Sequence, residues 1–370
     1  MERILLSSPH MSQEGYEQAY IKEAFDTNWI APLGANVTKF EEDLARMVGI
    51  DYATALSSGT AAIHLALKNI GLQQGDIVFC QSLTFSASAN PICYEKATPV
   101  FIDSEPETWN MDPEMLRKAF EKYTPKAVIV VHLYGISAKI DEIKAICQEH
   151  NTPLIEDAAE SLGTIYKGKW TGTFGDYGIF SFNGNKIITT SGGGMLVSNN
   201  KAGIEKATFW ATQAREKARH YQHEEIGYNY RLSNISAGIG RGQLKVLEER
   251  VEKKRYIYQR YVEGLADIED IEMIPDHDYE RSNHWLSAML IGPSSSVTPT
   301  MVMDVLDKEN IESRPVWKPM HLQPVFADCD YIGGHVAEDL FNRGLCLPSD
   351  SKMTDQDIDR VIATIRSLWD

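Results

Sequence analysis

The sequence predicts an α/β protein with a mainly parallel central sheet and a smaller α+β C-terminal domain. Between about residues 50 and 200, short runs rich in β-branched and aromatic residues alternate with helical patterns. This alternation is typical of a parallel sheet that helices cover on both faces. The strand candidates are IVFCQS, PVFIDS, AVIVVHLYG, PLIED, GIFSFNG and GMLVSN, and the helical patterns include MDPEMLRKAFEKY and SAKIDEIKAICQEH.

The pattern changes after about residue 240. QLKVLEERVEKKRYIYQRYVEGL has helical periodicity and a dense charged face, which predicts one long helix connecting two domains. HWLSAMLIG is a strand candidate, and a terminal helix is expected to begin near Thr354. We expect a large domain over residues 1–240 and a smaller one over residues 241–370. The basic run Lys253, Lys254 and Arg255 is interpreted as a solvated helix face.

Composition narrows the class of protein. The 370 residues are 43% hydrophobic and carry a formal net charge of -16, which argues against a nucleic-acid binder. The sequence shows neither a signal peptide nor an apolar run long enough to span a membrane, so we expect a cytoplasmic protein without membrane contact. Five scattered cysteines and the HYQH segment do not make a metal site, and GIGRGQ lies in a helical region without a preceding strand.

The first motif is LSSGTAAIHLALKNIG, residues 56–71, a turn of small residues that leads into a helix. Unpaired amides at a helix N-terminus, together with the hydroxyls of Ser58 and Thr60 beside Gly59, can bind a phosphate. Taken alone, the same residues are also what a plain helix N-cap requires. The spacing differs from a Walker loop, because no GK[ST] follows.

The second motif is LIEDAAES, residues 154–161, in which an apolar strand ends in Glu156 and Asp157 and Glu160 follows. A carboxylate at the end of a buried strand needs a partner, because an unpaired buried charge is costly. A protonated ring nitrogen would suit Asp157. The alternative is a carboxylate that favours the dipole of a following helix.

The third motif is GIFSFNGNKIITTSGGGM, residues 178–195. Ser181 and Asn183 leave the predicted sheet where ligands bind in parallel α/β folds, and Lys186 follows among hydroxyls and glycines. A lone lysine is usually a surface charge. A lysine at this position can instead act as a nucleophile or form a Schiff base.

These motifs, with Phe85 in QSLTFSASAN, supply four chemical parts in chain order. They are an anion site, an aromatic ring, a carboxylate and a lysine. Pyridoxal 5'-phosphate (PLP) requires these four parts for its phosphate, its ring face, its pyridine nitrogen and its aldehyde. The sequence therefore predicts a PLP site.

Several segments together resemble the DegT/DnrJ/EryC1/StrS family of sugar aminotransferases, over nearly the whole chain. They are NWIAPLGANVTKFE, SSGTAAIHLAL, EDAAES, FSFNGNKIITTSGGGM, GYNYRLSN and RPVWKPMH. The resemblance implies the aspartate aminotransferase-like architecture, PLP fold type I. Within the family, the chain is most similar to enzymes of bacillosamine and exopolysaccharide synthesis that aminate UDP-4-keto-6-deoxy-N-acetylglucosamine.

The resemblance also implies roles for individual residues. Lys186 would form the internal aldimine, Asp157 would pair with the pyridinium nitrogen, and Phe85 would cover the ring. Glu160 would lie near the phenolic oxygen, where many members have glutamine. Asn229 would reach the phosphate of the other subunit's cofactor in a homodimer. The remaining cofactor contacts would come from Ser58, Gly59, Thr60, Ser181 and Asn183.

Substrate contacts follow from the same resemblance. Trp29, Ile30, Ala31 and Pro32 resemble the sugar-nucleotide loop of the family. The cationic candidates for a diphosphate lie in RPVWKPMH, which could alternatively be surface packing of the small domain. They are Arg314, Lys318 and His321.

The reaction that the resemblance implies is transfer of an amino group from an amino acid, glutamate by expectation, to C4 of the sugar. Two alternatives remain at this point. One is a 3-aminotransferase or a sugar dehydratase, although the dehydratases of the family replace the lysine with histidine. The other is a non-catalytic regulatory or binding protein that keeps the cofactor fold.

Overall fold

The computed structural model describes residues 2–369. Its α-helices are α1 (Tyr16–Asp26), α2 (Ala35–Val48), α3 (Gly59–Asn69), α4 (Asn90–Tyr94), α5 (Pro113–Lys122), α6 (Ile140–Glu149), α7 (Lys201–Ala211), α8 (Asn234–Leu244), α9 (Leu247–Leu265), α10 (Pro299–Lys308), α11 (Val336–Arg343) and α12 (Asp355–Arg366). Short 3-10 helices lie at Ser86–Ser88, Leu133–Gly135, Met320–Leu322 and Pro324–Phe326.

The strands form one large sheet, one four-stranded sheet and one three-stranded sheet. They are β1 (Tyr52–Leu56), β2 (Ile77–Gln81), β3 (Thr98–Ile102), β4 (Ala127–Val131), β5 (Leu154–Asp157), β6 (Ile165–Tyr166), β7 (Lys169–Trp170), β8 (Tyr177–Ser181), β9 (Gly194–Ser198), β10 (Ile271–Met273), β11 (Glu280–Arg281), β12 (Ser287–Ile291), β13 (Arg314–Pro315), β14 (Tyr331–Ile332) and β15 (Gly344–Leu347).

The large sheet has the strand order β1-β9-β8-β5-β4-β2-β3-β14. Its strands β8, β5, β4, β2, β3 and β14 pair in parallel, as the alternating pattern predicts. The GMLVSN run differs, because β9 is antiparallel to both β8 and β1. Its reversed direction brings the start of β9 to the edge where the parallel strands end. Apolar residues on both faces of this sheet are buried under helices.

The C-terminal part is built on the sheet β10-β12-β15-β13, against which α9, α10 and α12 pack. The strand predicted in HWLSAMLIG is β12, and Thr354 caps α12 in a capping box. The predicted boundary at residue 240 stays a prediction. Contacts that cross it include the pairing of β14 with the large sheet and the packing of Ile4 into the C-terminal core.

The single long helix predicted from residue 243 is two helices in the structure. The helix α8 ends at Leu244 and α9 begins at Leu247. As predicted, GIGRGQ is helical and lies in α8. Its glycines allow close helix packing: a Cβ built at Gly240 would lie 2.6 Å from the Phe40 ring, and one at Gly242 would lie 2.6 Å from the backbone nitrogen of Glu17.

The interpretation of Lys253, Lys254 and Arg255 as one solvated face is wrong for Lys254. Its side chain is only 2% exposed and lies on the face of α9 that packs inward. Its ammonium donates to the backbone carbonyls of Trp285 and Ser349. Because these acceptors come from segments distant in sequence, the local charge pattern did not reveal the burial. Among residues 2–369, no helix is long and apolar enough to cross a membrane.

Candidate active site

A cavity of about 660 Å³ opens at the carboxyl edge of the large sheet. Predicted site residues from all three motifs line it, together with residues of the C-terminal part. The predicted residues in its lining are Ser58, Gly59, Thr60, Phe85, Asp157, Glu160, Ser181, Asn183, Lys186 and Arg314.

The small-residue turn forms one end of the cavity at the N-terminus of α3. The Ser58 hydroxyl oxygen accepts from the backbone N–H of Ala61, so the residue is an N-cap. The cap uses only the hydroxyl oxygen of Ser58. The hydroxyl proton and the backbone N–H groups of Gly59 and Thr60, the first two residues of α3, remain available to bind an anion. The N-cap and phosphate interpretations are therefore compatible.

Close backbone packing shapes this end of the cavity. A Cβ built at Gly59 would lie 3.3 Å from the Cβ of Ser181, which brings the end of β8 beside the turn. A Cβ built at Gly194 would lie 2.3 Å from the carbonyl group of Ser58. The start of β9 thus lies directly against the turn, and glycine is needed there.

Asp157 ends β5 on the floor of the cavity. The Ser88 hydroxyl donates to Asp157 Oδ2 over 2.6 Å, and the backbone N–H of Ala159 donates to Oδ1 over 3.2 Å. Asp157 is 5% exposed and Ser88 is fully buried. These two donors orient the Asp157 carboxylate toward a ligand in the cavity.

Lys186 lies between a carboxylate and an indole. Its Nζ is 3.4 Å from Glu160 Oε1 and 4.1 Å from the centre of the Trp285 ring. Glu160 Oε2 accepts a 2.8 Å hydrogen bond from the backbone N–H of Tyr134. Burial raises the pKa of the Glu160 carboxyl to about 7, although Lys186 and the Tyr134 N–H oppose this.

Aromatic rings form the wall opposite the sheet. The ring of Phe85 is 58% exposed at the mouth and lies 5.5 Å from that of Trp317. The Trp317 ring also contacts Tyr134 at 5.4 Å and Trp285 at 6.5 Å. A planar ligand ring can be enclosed between this wall and the sheet.

The three cationic candidates of RPVWKPMH lie in different surroundings. Arg314 lines the cavity, with its side chain 63% exposed and a 2.8 Å ion pair to Glu312. Lys318 is exposed and outside the lining. His321 faces elsewhere: its Nδ1 is 2.7 Å from the Ser82 hydroxyl, and its ring stacks on another aromatic side chain.

The loop formed by Trp29, Ile30, Ala31 and Pro32 lies outside this cavity. Trp29 borders a second cavity of about 470 Å³ at the N-terminus of α2. Asn234 holds the loop, because its side chain donates to the carbonyl of Trp29 and its backbone N–H donates to that of Ala31. Trp29 and Ile30 are about half exposed, at 49% and 52%.

Asn229 also lies outside the lining of the cavity. It is exposed, and its side chain accepts a 3.3 Å hydrogen bond from Gln213. Its predicted contact with a cofactor in another subunit stays a prediction.

Sequence reasoning missed Ser88, Trp285 and Trp317. Ser88 lies in the same QSLTFSASAN run as Phe85, so the cluster of hydroxyls after β2 was an available signal. Trp285 lies in the strand candidate HWLSAMLIG, and Trp317 lies in RPVWKPMH, where the charged residues are the predicted ligands. Nothing in the local pattern indicates that both indoles line the same cavity as Lys186.

The residues in the cavity fit PLP. The N-terminus of α3 with its glycine-lined turn suits the phosphate, Asp157 suits a protonated pyridine nitrogen, and Lys186 offers a primary amine. The cavity separates these groups along the sheet edge and encloses them with aromatic side chains.

Comparison with known proteins decides the family. A model described as the DegT/DnrJ/EryC1/StrS aminotransferase family matches residues 12–366. The chain belongs to this family. The Bacillus subtilis protein EpsN is 57% identical over 100% of this chain and 96% of its own length. The GDP-perosamine synthase of Caulobacter vibrioides is 38% identical over 99% of this chain and 98% of its own length.

The fold agrees with that of a solved DegT/DnrJ/EryC1/StrS aminotransferase from Brucella abortus. The two share 29% sequence identity with a TM-score of 0.89, over 96% of this chain and 95% of that one. The predicted fold class, PLP fold type I, is confirmed. The chain is therefore an enzyme, a PLP-dependent sugar-nucleotide aminotransferase, which excludes the non-catalytic alternative.

Proposed function

We propose that this aminotransferase moves the amino group of L-glutamate to C4 of UDP-4-keto-6-deoxy-N-acetylglucosamine. The observation that carries the proposal is one cavity that joins Lys186, Asp157, the N-terminus of α3 and an exposed arginine at its mouth. The first three suit the cofactor, and Arg314 suits an anionic substrate. The choice of UDP and C4 rests on the resemblance of the motif segments.

Within this site, Lys186 would hold the cofactor through its ε-amine, Asp157 would hold the proton of the pyridine nitrogen, and the turn at Gly59 would bind the phosphate. When bound, PLP supplies an electron sink for cleavage of a C–H bond beside an amine. Lys186 would also move the proton at the amine-bearing carbon of the donor and at C4 of the sugar. Its Nζ suits this task because Lys186 lines the same cavity as Asp157 and the turn at Gly59.

Arg314 would bind the diphosphate, because its guanidinium is more than half exposed and held at the cavity by Glu312. A GDP-linked ketosugar is a second candidate, favoured by the 38% identity to a GDP-perosamine synthase. Both candidates place a diphosphate at the mouth. They differ in the base and in the substituent at C2 of the sugar.

We also propose a homodimer in which Asn229 of one subunit reaches the phosphate site of the other. The exposure of Asn229, outside the lining of its own cavity, supports this arrangement. Mixing Lys186→Ala with Asn229→Ala under subunit exchange would test it. Restored activity in the mixture is expected if sites are shared, whereas a mixture as inactive as its components contradicts shared sites.

Visible absorbance of the purified holoenzyme tests the reaction. Glutamate is expected to bleach the band of the lysine-bound cofactor, and UDP-4-keto-6-deoxy-N-acetylglucosamine is expected to restore it. Restoration by a GDP-linked 4-keto-6-deoxy sugar alone would replace the UDP proposal with the GDP one. Bleaching without restoration by either sugar would refute both. The control is Lys186→Ala, in which the band should be absent.

The position of the new amine needs a separate measurement. NMR of the product is expected to show nitrogen at C4. Nitrogen at C3, or loss of a hydroxyl without amination, would support the 3-aminotransferase or dehydratase alternative instead.

A further inference from the structure

Lys254 on α9 carries a buried ammonium that the proposed chemistry does not use. Its Nζ donates to the backbone carbonyl of Ser349 over 2.7 Å, to that of Trp285 over 2.9 Å and to the Ser7 hydroxyl over 3.3 Å. The side chain is 2% exposed. Burial lowers the pKa of this ammonium to about 7, with the Asp350 carboxylate opposing the shift.

Two of these partners, Trp285 and Ser7, also bind the backbone carbonyl of Asn185, the residue before Lys186. The indole Nε1 of Trp285 donates to the carbonyl of Asn185 over 2.8 Å, and the Ser7 hydroxyl donates to the same carbonyl over 2.9 Å. Lys254, Trp285, Asn185 and Ser7 therefore form a closed ring of hydrogen bonds. The ring joins α9, the N-terminal segment, the segment that precedes β12 and the Lys186 loop.

The ring also fixes the surface on which the Lys186 side chain rests. The Trp285 ring lies 4.1 Å from Lys186 Nζ, and its position depends on the bonds from its carbonyl and its Nε1. A buried lysine is costly unless its donors are satisfied, and removing it leaves several buried acceptors unpaired. The cost of burying Lys254 is thus offset by contacts that converge on one site.

We propose that Lys254 is a positioning residue for Lys186: through Trp285 and Ser7 it fixes the Asn185 carbonyl and the indole beneath the reactive amine. This inference rests on the proposed function, in which Lys186 holds the cofactor. Lys254 itself is not among the residues that line the cavity. Its contribution is the placement of the reactive lysine relative to Glu160 and the sheet edge.

The test measures the Lys186 amine directly in the cofactor-free protein. Trinitrobenzenesulfonate is applied at fixed pH, and the labelling rate of each lysine peptide is followed by mass spectrometry. In Lys254→Met, Lys186 is expected to be labelled about fivefold or more faster, because it is no longer held against Trp285 and Glu160. The matched control is Lys253→Met on the same helix, which should leave the rate unchanged.

Kinetics of the reconstituted enzyme separate positioning from a general loss of structure. Lys254→Met is expected to lower kcat about tenfold while KM for the nucleotide sugar stays within about twofold, because the binding groups are unaffected. An unchanged Lys186 labelling rate in folded Lys254→Met would overturn the proposal. Faster labelling of all lysines would indicate that Lys254→Met has unfolded, and the milder variants described next would then decide the proposal.

Two milder variants keep the proposal testable if Lys254→Met does not fold. Trp285→Phe removes the Nε1 bond and keeps an aromatic ring, and Ser7→Ala removes the hydroxyl. Each is expected to accelerate Lys186 labelling, and wild-type rates in both would refute the proposal. No sugar substrate enters the labelling assay, so failure of the proposed reaction and failure of this inference can be told apart.

Discussion

The Nζ of Lys186 lies 3.4 Å from Oε1 of Glu160 in the wall of the cavity, where the Glu160 side chain is 3% exposed and that of Lys186 is 13% exposed. Burial raises the pKa of Glu160 to about 7 from a usual value of 4.5. Between pH 4.5 and about 7, the Glu160 carboxyl therefore keeps its proton in the folded protein, whereas the same carboxyl has released it in the unfolded chain. The free energy of unfolding therefore falls, on account of this group, as pH rises from 4.5 to about 7.

Glu160→Gln should abolish this decrease in the free energy of unfolding with rising pH, because glutamine does not titrate. Relative to the wild type, the variant is expected to gain on the order of 2–3 kcal/mol in unfolding free energy between pH 5 and pH 8. Urea unfolding of the cofactor-free protein at both pH values measures the difference. Glu121→Gln, at an exposed position of α5, is the control. An equal effect of Glu160→Gln at both pH values would contradict the prediction.

Ser88→Ala should weaken binding of PLP. The substitution removes the 2.6 Å hydrogen bond to Asp157, which leaves the buried carboxylate less firmly oriented toward the cofactor nitrogen. A hydrogen bond to a charged group contributes about 1.5–3 kcal/mol, so the Kd for PLP is expected to rise about tenfold or more. Absorbance titration of the cofactor-free protein measures it. Ser86→Ala, in the same 3-10 helix, should bind PLP as the wild type does.

Gly194→Ala should destabilise the phosphate end of the cavity. The new Cβ would approach the Ser58 carbonyl to 2.3 Å and the Gly59 nitrogen to 2.5 Å, and backbone atoms cannot rotate away. We expect a loss of about 1–3 kcal/mol in unfolding free energy. Gly192→Ala is a matched control in the same glycine run, because a Cβ there meets nothing within 4 Å. Equal unfolding midpoints for the two variants would show that the close approach is not needed.

Arg314→Gln should raise KM for the nucleotide sugar about tenfold with little change in kcat, because it removes a charge that faces the substrate but not the reacting carbon. Lys318→Gln removes a charge from the same motif outside the cavity lining. It is expected to behave as the wild type in steady-state kinetics. Equal effects of the two substitutions would indicate general electrostatic attraction instead of a specific contact.

The alternation of strands and helices could be predicted from the sequence, because residue periodicity reports how each segment is buried. Asp157 and Ser181 each end a parallel strand in the structure, as LIEDAAES and GIFSFNG indicate. Parallel strands place their carboxyl ends at one edge of a sheet. Motifs far apart in sequence could therefore be assigned to a common site, and with it a cofactor class, before any coordinates.

The direction of β9 and the burial of Lys254 could not be predicted in the same way. A five-residue apolar run has the same pattern in either direction, yet only the antiparallel arrangement brings Gly194 against Ser58. Lys254 has charged neighbours along α9, and its acceptors are carbonyls of distant segments. Local periodicity contains no information about such partners.

By itself, the sequence determined the α/β fold class and the four chemical parts of the cofactor site, since these depend on periodicity and on residue types at strand ends. The family followed from the resemblance of the motif segments. Only the tertiary structure decided which of Arg314, Lys318 and His321 faces the cavity, and which residues hold Lys186 in place. The physical reason is that a side chain's surroundings depend on how whole elements pack. Residues that are adjacent in one motif can point to different sides, and residues hundreds of positions apart can share one carbonyl, as Ser7 and Trp285 share that of Asn185.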